Sequence, residues 1–424
     1  MSNAFSKEER VAFEDILEGF QDLLVLSRHV SVYNTNQTEM ARTNDTIWRP
    51  MPYIAQSQNS TPGTPVTYQN MTQLSVPSTI GFSKTVPWTM TTLDLRDALQ
   101  EGRLGDSAKQ KLASDINVAI MNTAAAQGTL VVPVSTAAGD YDDVALCDTI
   151  MNEQGVPDYD RFLGLSSRDY NGLAGNLSQA SRSFGNAKSD KAYERNFVGM
   201  VAGFDTYKFD YANRIAAAAG GTTTINTTLP QAQYVPQATS TSVGGQINVD
   251  NRYETVTVSN SVGVVAGDAF TIDGIEAVHH ITKESTGQLK TFRVISVPAG
   301  GTTLVISPPI ISAVTTPTDA ELQYQNCKIV AAASAAPINW LNTGASAINV
   351  FWQKDSLEIL PGRYAIPADA GTAVMRATTD QGVELVMQKF YDIDSMVIKY
   401  RLDTLFGVVN KQPEMSGILL FNQP

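Results

Sequence analysis

The spacing of apolar residues predicts a long helix in the first third of the chain. Apolar positions recur every four residues, at Leu104, Ala108, Leu112, Ile116, Ile120 and Ala124. This spacing advances about 40° per step, so the apolar stripe winds around the helix and can contact several elements in turn. Asp106 or Ser107 suits the N-cap, and Gly128 suits the left-handed residue after the last turn. We predict a helix over residues 106–128 with Lys109 and Lys111 facing outward; an ordinary amphipathic core helix would show the same local pattern.

A second amphipathic pattern predicts a helix over residues 6–28. Ser6 and Glu9 have the spacing of a capping box. One side of the helical wheel is apolar, with Phe13, Ile16, Leu17, Phe20, Leu23 and Leu24. The opposite side is acidic, with Glu14, Asp15, Glu18 and Asp22. The acidic side is either a solvated face or a docking surface for a basic partner.

Residues 49–84 form a polar stretch that contains five prolines and few residues able to build a core. Strand-like segments flank it, at Thr46–Arg49 and Thr85–Thr91. A loop of this length inside a compact domain is functional or disordered. We therefore predict an extended arm that projects from a hairpin and lies on another subunit.

Mixed helix and strand patterns occupy residues 129–221, and the pattern becomes all-β from residue 222 to 345. The predicted strands of this second region are Tyr253–Ser259, Ala269–Ile272, Leu289–Val297, Leu304–Ser307 and Leu322–Ala331. They indicate a small barrel or sandwich. Ahead of them, Pro236–Gly245 reads as an uncharged flexible loop. Mixed character returns after residue 345, with a strong hairpin over residues 383–401 and a closing strand at Met415–Phe421.

Composition narrows the possible functions. The 424 residues carry a formal net charge of −12, and only 17% are charged. This balance argues against wrapping nucleic acid, which needs clustered Lys and Arg. Cys147 and Cys327 lie far apart, so no disulfide framework is implied. We expect a soluble product of the cytoplasm, because no signal peptide or membrane span is evident and no membrane partner is implied.

The sequence contains no recognisable catalytic constellation. The sequence lacks the HExxH motif of metalloproteases, the GxSxG motif of the nucleophile elbow, the P-loop motif and the CxxC motif. His279 and His280 are adjacent and cannot both point to one face of a strand, so a metal site there is a weak hypothesis beside that of surface or loop histidines. Asp142 and Asp143 start a predicted helix, where acids are expected. We predict no enzyme activity, no cofactor and no metal.

Five short segments, in order, resemble the coat proteins of P22-like tailed phages. They are NDTIW at 44–48, LDLRD at 93–97, VAGFD at 201–205, INVDNRYETVTVS at 247–259 and INVFW at 348–352. The resemblance implies an α+β chain with the HK97-like capsid fold and an inserted all-β barrel. The implied division is an N-terminal arm (1–45), an extended loop or E-loop with its flanking strands (46–91), and a peripheral domain with the spine helix (92–128). It continues with an axial domain (129–221), the barrel (222–345), the rest of the axial domain (346–380), and a peripheral hairpin with the closing strand (381–424).

The resemblance also implies function and partners. A major capsid protein of this family forms hexamers and pentamers, assembles with a scaffolding protein into a procapsid of T=7 symmetry, and joins a portal protein. The shell then expands as it encloses double-stranded DNA without reading its sequence. The chain would be made in the host bacterial cytoplasm and end in the virion.

Three groups of residues are candidates for contacts between proteins. The acidic residues Glu14, Asp15, Glu18 and Asp22 are candidates for scaffold binding. Contacts between capsomers are expected from Gln237, Thr239, Thr241, Asp250 and Arg252. Contacts of the extended loop with a neighbouring subunit are expected from Gln56, Asn59, Tyr68 and Asn70.

One departure from the family pattern concerns the loop before the barrel, which is acidic in relatives. Here Pro236–Gly245 carries no charge, and Asp250 and Arg252 are the nearest charged residues. Either the contact between capsomers is uncharged or another loop makes it. The rival hypotheses are a tail-tube subunit, a surface-layer protein, and a hydrolase that uses two carboxylates roughly 5–10 Å apart.

Overall fold

The structure is a computed structural model of the 424-residue chain. It describes all residues except 1–4, 6, 34–45, 52–53, 56–60, 64, 67, 69, 92–97, 181–190, 193, 210, 227–228, 230–232, 315, 332–334, 367–370 and 422–424. The side chains of residues 8, 98–104 and 179–180 also lie outside this description. The segment 93–97 and the residues Ser6, Gln56 and Asn59, all singled out in the sequence, fall among the residues not described.

The described helices are α1 (Lys7–Leu23), α2 (Ala98–Gln127), α3 (Tyr141–Glu153), α4 (Ser167–Ala180) and α5 (Asp319–Tyr324). Helix α2 is the predicted long helix, and Gly128 follows its last residue as expected. The prediction of a cap at Asp106 or Ser107 was wrong, because α2 starts at Ala98 and both residues lie inside it.

The apolar stripe of α2 is buried and winds as predicted. Ala108, Leu112, Ile116, Ile120 and Ala124 are buried, and Ala113, Met121 and Ala125 widen the stripe along the helix. Lys111 is exposed and pairs with Asp115 at 2.8 Å. Lys109 does not face outward as predicted, because its ammonium group lies over Gly19 of α1. A Cβ added to Gly19 would lie only 2.5 Å from Lys109 Nζ.

The described strands, in chain order, are β1 (Ser31–Val32), β2 (Thr46–Pro50), β3 (Ser75–Thr79), β4 (Phe82–Thr91), β5 (Leu130–Val134), β6 (Arg161–Ser166), β7 (Met200–Val201), β8 (Phe204–Phe209), β9 (Arg214–Ile215), β10 (Thr239–Ser242), β11 (Gly245–Asn248), β12 (Glu254–Thr257), β13 (Ala269–Val278), β14 (Ser285–Ser296), β15 (Thr303–Ser307), β16 (Cys327–Ile329), β17 (Ile338–Trp340), β18 (Ser346–Gln353), β19 (Leu357–Pro361), β20 (Ala373–Thr378), β21 (Glu384–Asp392), β22 (Val397–Asn410) and β23 (Ser416–Phe421). The predicted α+β fold class is confirmed.

The chain divides into two units, each made of three separate stretches. Unit 1 comprises residues 1–47, 77–122 and 357–409. Its sheet has the order β1-β19-β22-β21-β20, and β4 also pairs with β22. The predicted hairpin over 383–401 is present as β21 and β22, in register from Leu385–Thr404 to Asp392–Val397.

Unit 2 comprises residues 48–76, 123–356 and 410–424. One of its sheets has the order β5-β23-β18-β6-β8-β7, with β9 paired to β18. Helices α3 and α4 pack on this sheet through Val144, Cys147, Met151 and Leu173, which share its buried core. Cys147 is thus a core residue, and burial raises the pKa of its thiol above the ordinary value.

The all-β region of unit 2, called the β insert (residues 222–345) from here on, contains a second sheet. Its order is β12-β15-β14-β13-β16, with β17 also paired to β13, and these strand pairs are antiparallel. Phe270, Phe292, Ile272, Val294 and Ile306 form much of its core. Closure of this sheet into a barrel stays a prediction.

Several local predictions in this region were wrong. The expected strand Leu322–Ala331 is helix α5 followed by the short strand β16, because Thr318 and Glu321 form a capping box that starts a helix. The expected loop Pro236–Gly245 contains half of a hairpin, β10 paired with β11. The expected strand Tyr253–Ser259 is shortened to β12, and the resembling segment 247–259 falls on two strands with a turn between them.

The strands around the extended loop also differ from the prediction. β2 pairs with β3 rather than with β4, so the loop closes at residues 51–74. β4 pairs with β22 instead. The predicted segments 346–380 and 381–424 do not coincide with the units. Strands β19 and β20, from the first segment, share a sheet with β21 and β22 from the second, whereas β23 of the second segment pairs with β18 of the first.

Candidate assembly surfaces

The acidic side of helix α1 is exposed. Glu14, Asp15, Glu18 and Asp22 are all solvent-exposed, while Phe13, Ile16 and Phe20 on the opposite side are buried. Contacts hold the helix near both of its ends. Near the start, Lys389 and the Tyr400 hydroxyl contact the Glu9 carboxylate. At the end, the Asn117 amide donates to the Leu23 carbonyl at 3.0 Å. The amphipathic pattern therefore places four carboxylates on a firmly held surface.

The extended-loop candidates fall into two groups. Gln56 and Asn59 lie outside the described residues. Tyr68 is 95% exposed, and the neighbouring apolar residues Val66 and Met71 are exposed as well. The side chain of Asn70 is exposed, whereas its main-chain N–H donates to Asp319 at 3.0 Å. The loop thus presents an aromatic side chain with little contact to its own chain.

The contact candidates Gln237, Thr239 and Thr241 lie on or beside the β10–β11 hairpin. All three are exposed, and every residue from 241 to 248 is exposed. Val243 at the tip and Ile247 on β11 present apolar side chains to solvent. A two-stranded hairpin without a covering layer is marginally stable by itself. Such a hairpin gains stability when it contacts another surface.

Asn251 fixes the base of this hairpin. Its amide nitrogen donates to the carbonyl of Gln237 at 2.8 Å and to that of Val249 at 3.0 Å. Its amide oxygen accepts from the Gln237 N–H at 3.0 Å and from the Tyr234 hydroxyl at 3.1 Å. One buried side chain therefore joins both ends of the hairpin to the β insert.

The remaining pair of candidates, Asp250 and Arg252, bind each other. The Arg252 Nη2 lies 2.7 Å from Asp250 Oδ2, and Nε lies 2.9 Å from Oδ1. Arg252 is buried, and its Nη1 donates to the Asn410 carbonyl at 2.8 Å. The structure thus uses both charges within the chain, which leaves the uncharged hairpin as the exposed part of this candidate surface.

A buried polar cluster joins the β insert to the β5–β23 region of unit 2. The Lys290 ammonium, 1% exposed, lies 2.6 Å from Glu414 Oε1 and 3.0 Å from Gln154 Oε1. His280 lies 3.3 Å from Glu414 in the turn after β13, so it is a loop histidine as expected, although its side chain is only 12% exposed. Burial lowers the pKa of His280 to about 4, which makes it neutral at pH 7. Burial opposes ionisation of Glu414, but Lys290 and His280 hold its pKa below the ordinary value.

A second buried cation joins the β insert to the end of helix α2. Arg293 on β14 donates through Nη2 to the Ala125 carbonyl at 2.9 Å and through Nη1 to the Gly128 carbonyl at 3.2 Å. Its Nε donates to the Gly267 carbonyl at 3.0 Å. A cation at a helix C-terminus satisfies free carbonyls and complements the helix dipole. No pattern in the sequence pointed to Arg293 or Lys290, because a charged residue on a strand gives no local sign that it is buried.

The described residues contain no group of three or more His, Cys, Asp or Glu side chains placed to hold a metal ion. Among the helices of the described ranges, none is long and apolar enough to cross a membrane.

Comparison with known proteins gives a family match over nearly the whole chain. The sequence model of the family described as "P22 coat protein - gene protein 5" matches residues 1–422. Among solved structures, the chain is similar to the "CUS-3 coat protein I-domain", with 40% identity over 28% of this chain and 96% of that chain at a TM-score of 0.23. It is also similar to a structure from Mycobacterium phage Che8 (10% identity, 94% and 89% coverage, TM-score 0.43) and to the capsid of Cyanophage P-SCSP1u (10% identity, 93% and 87% coverage, TM-score 0.44).

Proposed function

Because the chain belongs to the P22 coat protein family, and is thus a phage major capsid protein with an HK97-like fold, we propose that it assembles with a scaffolding protein into a T=7 procapsid. The procapsid joins a portal protein and expands as double-stranded DNA is packaged. The observation that carries this proposal is the family match over residues 1–422. The net charge of −12 fits a shell that encloses DNA without binding it tightly.

We assign scaffold binding to the acidic face of α1. Its four carboxylates are exposed, and the helix beneath them is fixed through Glu9, Lys389 and Tyr400. Charged surfaces of opposite sign steer association and fix its orientation. The partner element is therefore expected to be basic.

The test is charge reversal on this face. We expect Glu14→Lys, Glu18→Lys and Asp22→Lys together to abolish procapsid assembly when the chain is co-expressed with its scaffolding protein. Electron microscopy and sedimentation measure the yield of closed shells, and circular dichroism checks that the variant is folded.

A matched control separates the location of the charges from their number. Glu194→Lys, Glu284→Lys and Asp380→Lys change the net charge equally and alter exposed residues outside α1. These control shells are expected to form normally. Unchanged assembly of the α1 variant would refute the assignment.

The other two candidate surfaces complete the proposed assembly. The exposed hairpin β10–β11, with Gln237, Thr239 and Thr241, makes an uncharged contact between capsomers. The extended loop reaches a neighbouring subunit through Tyr68 and the other loop candidates, Gln56, Asn59 and Asn70. Both assignments rest on the exposed side chains of the described candidates, which are Gln237, Thr239 and Thr241 in the hairpin and Tyr68 and Asn70 in the loop.

A further inference from the structure

The extended loop has a narrow base, called the neck here and formed by residues 51 and 70–75. The Met51 N–H donates to the Leu74 carbonyl at 2.8 Å, and the Gln73 amide donates to the Met51 carbonyl at 2.6 Å. These bonds join the two sides of the loop where it leaves β2 and returns to β3. The direction of the loop is consequently set at the neck.

Helix α5 of the β insert binds the returning side of the neck. Asp319 accepts from the Asn70 N–H at 3.0 Å, and Gln323 accepts from the Thr72 N–H at 3.0 Å. The Tyr324 hydroxyl donates to the Thr72 carbonyl at 2.8 Å. One short helix therefore satisfies the N–H and the carbonyl of Thr72 and the N–H of Asn70. Without the helix, these main-chain groups would have to bond to water.

Apolar packing adds to these hydrogen bonds. Leu74, Ile311 and Tyr324 are buried together, and Met51, Ile54 and Tyr234 pack against them. Ser75 of β3 also forms an isolated parallel bridge with Asp250 at the base of the β10–β11 hairpin. The neck is thus attached to the β insert on an apolar patch and along its backbone.

The insert side of this contact is itself held in place. Thr318 and Glu321 cap the start of α5 reciprocally, and the Gln233 amide contacts the Glu321 carboxylate. Past the neck, by contrast, Val66 and Tyr68 are exposed. The loop therefore combines a fixed base with an exposed apolar end.

We propose that the β insert positions the extended loop, with α5 acting as a docking site for the neck, so that the exposed end meets a second copy of this chain in one orientation. This role goes beyond the proposed function, which gives the β insert only a contact between capsomers. It predicts that the loop is oriented in the free subunit, before any shell forms.

The test measures loop mobility in the unassembled subunit. Cys147 and Cys327 are fully buried, so a fluorescent dye attached to Tyr68→Cys reports on the loop alone. The disrupting variant is Gln323→Met with Tyr324→Phe, which removes the two contacts to Thr72. The matched control is Gln325→Met with Tyr253→Phe, since Gln325 bonds to Ser312 and Cys327 rather than to the loop.

We expect the dye anisotropy to fall in the disrupting variant and to stay at the unsubstituted value in the control, with equal melting temperatures for both. Equal anisotropy in all three proteins would overturn the proposal.

A measurement without these substitutions guards against a variant that does not fold. In the unsubstituted chain, hydrogen exchange at the Thr72 amide is expected to be roughly fivefold or more slower than in an unstructured peptide, as one hydrogen bond implies. Exchange at the unstructured rate would also overturn the proposal. Both readouts use free subunits, so they stand whether or not scaffold-dependent shells form.

Discussion

Arg293 is a buried cation whose hydrogen-bond partners are main-chain carbonyls. Two of them belong to the last turn of α2 and the residue after it, and the third is Gly267. Burial lowers the pKa of Arg293 to about 10, which still leaves it charged at neutral pH. Because Arg293 lies on β14 and two of its acceptors lie at the end of α2, the arginine both caps the helix and attaches the β insert to it.

Replacing this side chain should destabilise the fold. Arg293→Met keeps the apolar stem but leaves three carbonyls without their donor, so we expect a loss of about 3 kcal/mol in the free energy of unfolding. Urea denaturation measures it. The control is Arg168→Met, at an exposed position. Ordinary surface substitutions change the free energy of unfolding by less than about 0.5 kcal/mol, and a change that small in Arg293→Met would contradict the prediction.

Glu254 on β12 gives a pH-dependent contribution. Burial raises the pKa of its carboxyl from 4.5 to about 8, although the Ile310 N–H donates to it at 2.7 Å. Between those values the folded state binds more protons than the unfolded state, so stability falls as the pH rises through this window and levels off above it. We expect Glu254→Gln, which keeps an oxygen acceptor, to weaken this decline in melting temperature. Glu284→Gln, at an exposed position, should leave the decline intact; an equal decline in the Glu254 variant would count against the prediction.

At the scale of elements, helices with a strong apolar period were predicted well. Helix α1 lies within its predicted range of residues 6–28, and α2 covers residues 106–127 of its predicted range of 106–128. Both were predictable because periodic burial along one stripe needs only local geometry. Helix α5 was missed although its capping box was readable as Thr318 and Glu321. The apolar and β-branched residues around it favoured a strand, and a six-residue helix gives too short a period to oppose that.

The β10–β11 hairpin can be removed without cutting into the main sheet of the β insert. The Val249 N–H lies 3.3 Å from the Ala238 carbonyl, so a short glycine link can replace residues 239–248. Deleting residues 237–244 is predicted to impair shell assembly without unfolding the subunit. Replacing residues 239–248 should have the same effect, and this variant keeps the hydrogen bonds between Gln237 and Asn251. Calorimetry and electron microscopy separate the two effects. Normal shells from either deletion would remove the hairpin from the proposed mechanism.

At the scale of the whole molecule, each unit is assembled from distant stretches of chain. Unit 1 joins residues 1–47 to residues 357–409, and unit 2 joins residues 48–76 to residues 410–424. Four of the five unit boundaries cut through β2, β3, α2 and β22, and the fifth falls between β18 and β19. The seven segments implied by the family resemblance do not end at these boundaries, because strand pairing joins residues that lie far apart in sequence. The family match over residues 1–422 nevertheless supports the predicted coat-protein function.

The sequence by itself determined the fold class, the stripe of α2, the acidic face of α1 and the family of the chain. These features depend on local periodicity or on short segments whose order survives in the sequence. Only the tertiary structure decided that Asp250 and Arg252 bind each other, that Lys290 and Arg293 are buried, and that α5 binds the neck of the extended loop. Those contacts join residues up to about 250 positions apart, and nothing in a local pattern records which distant backbone group a polar side chain will reach.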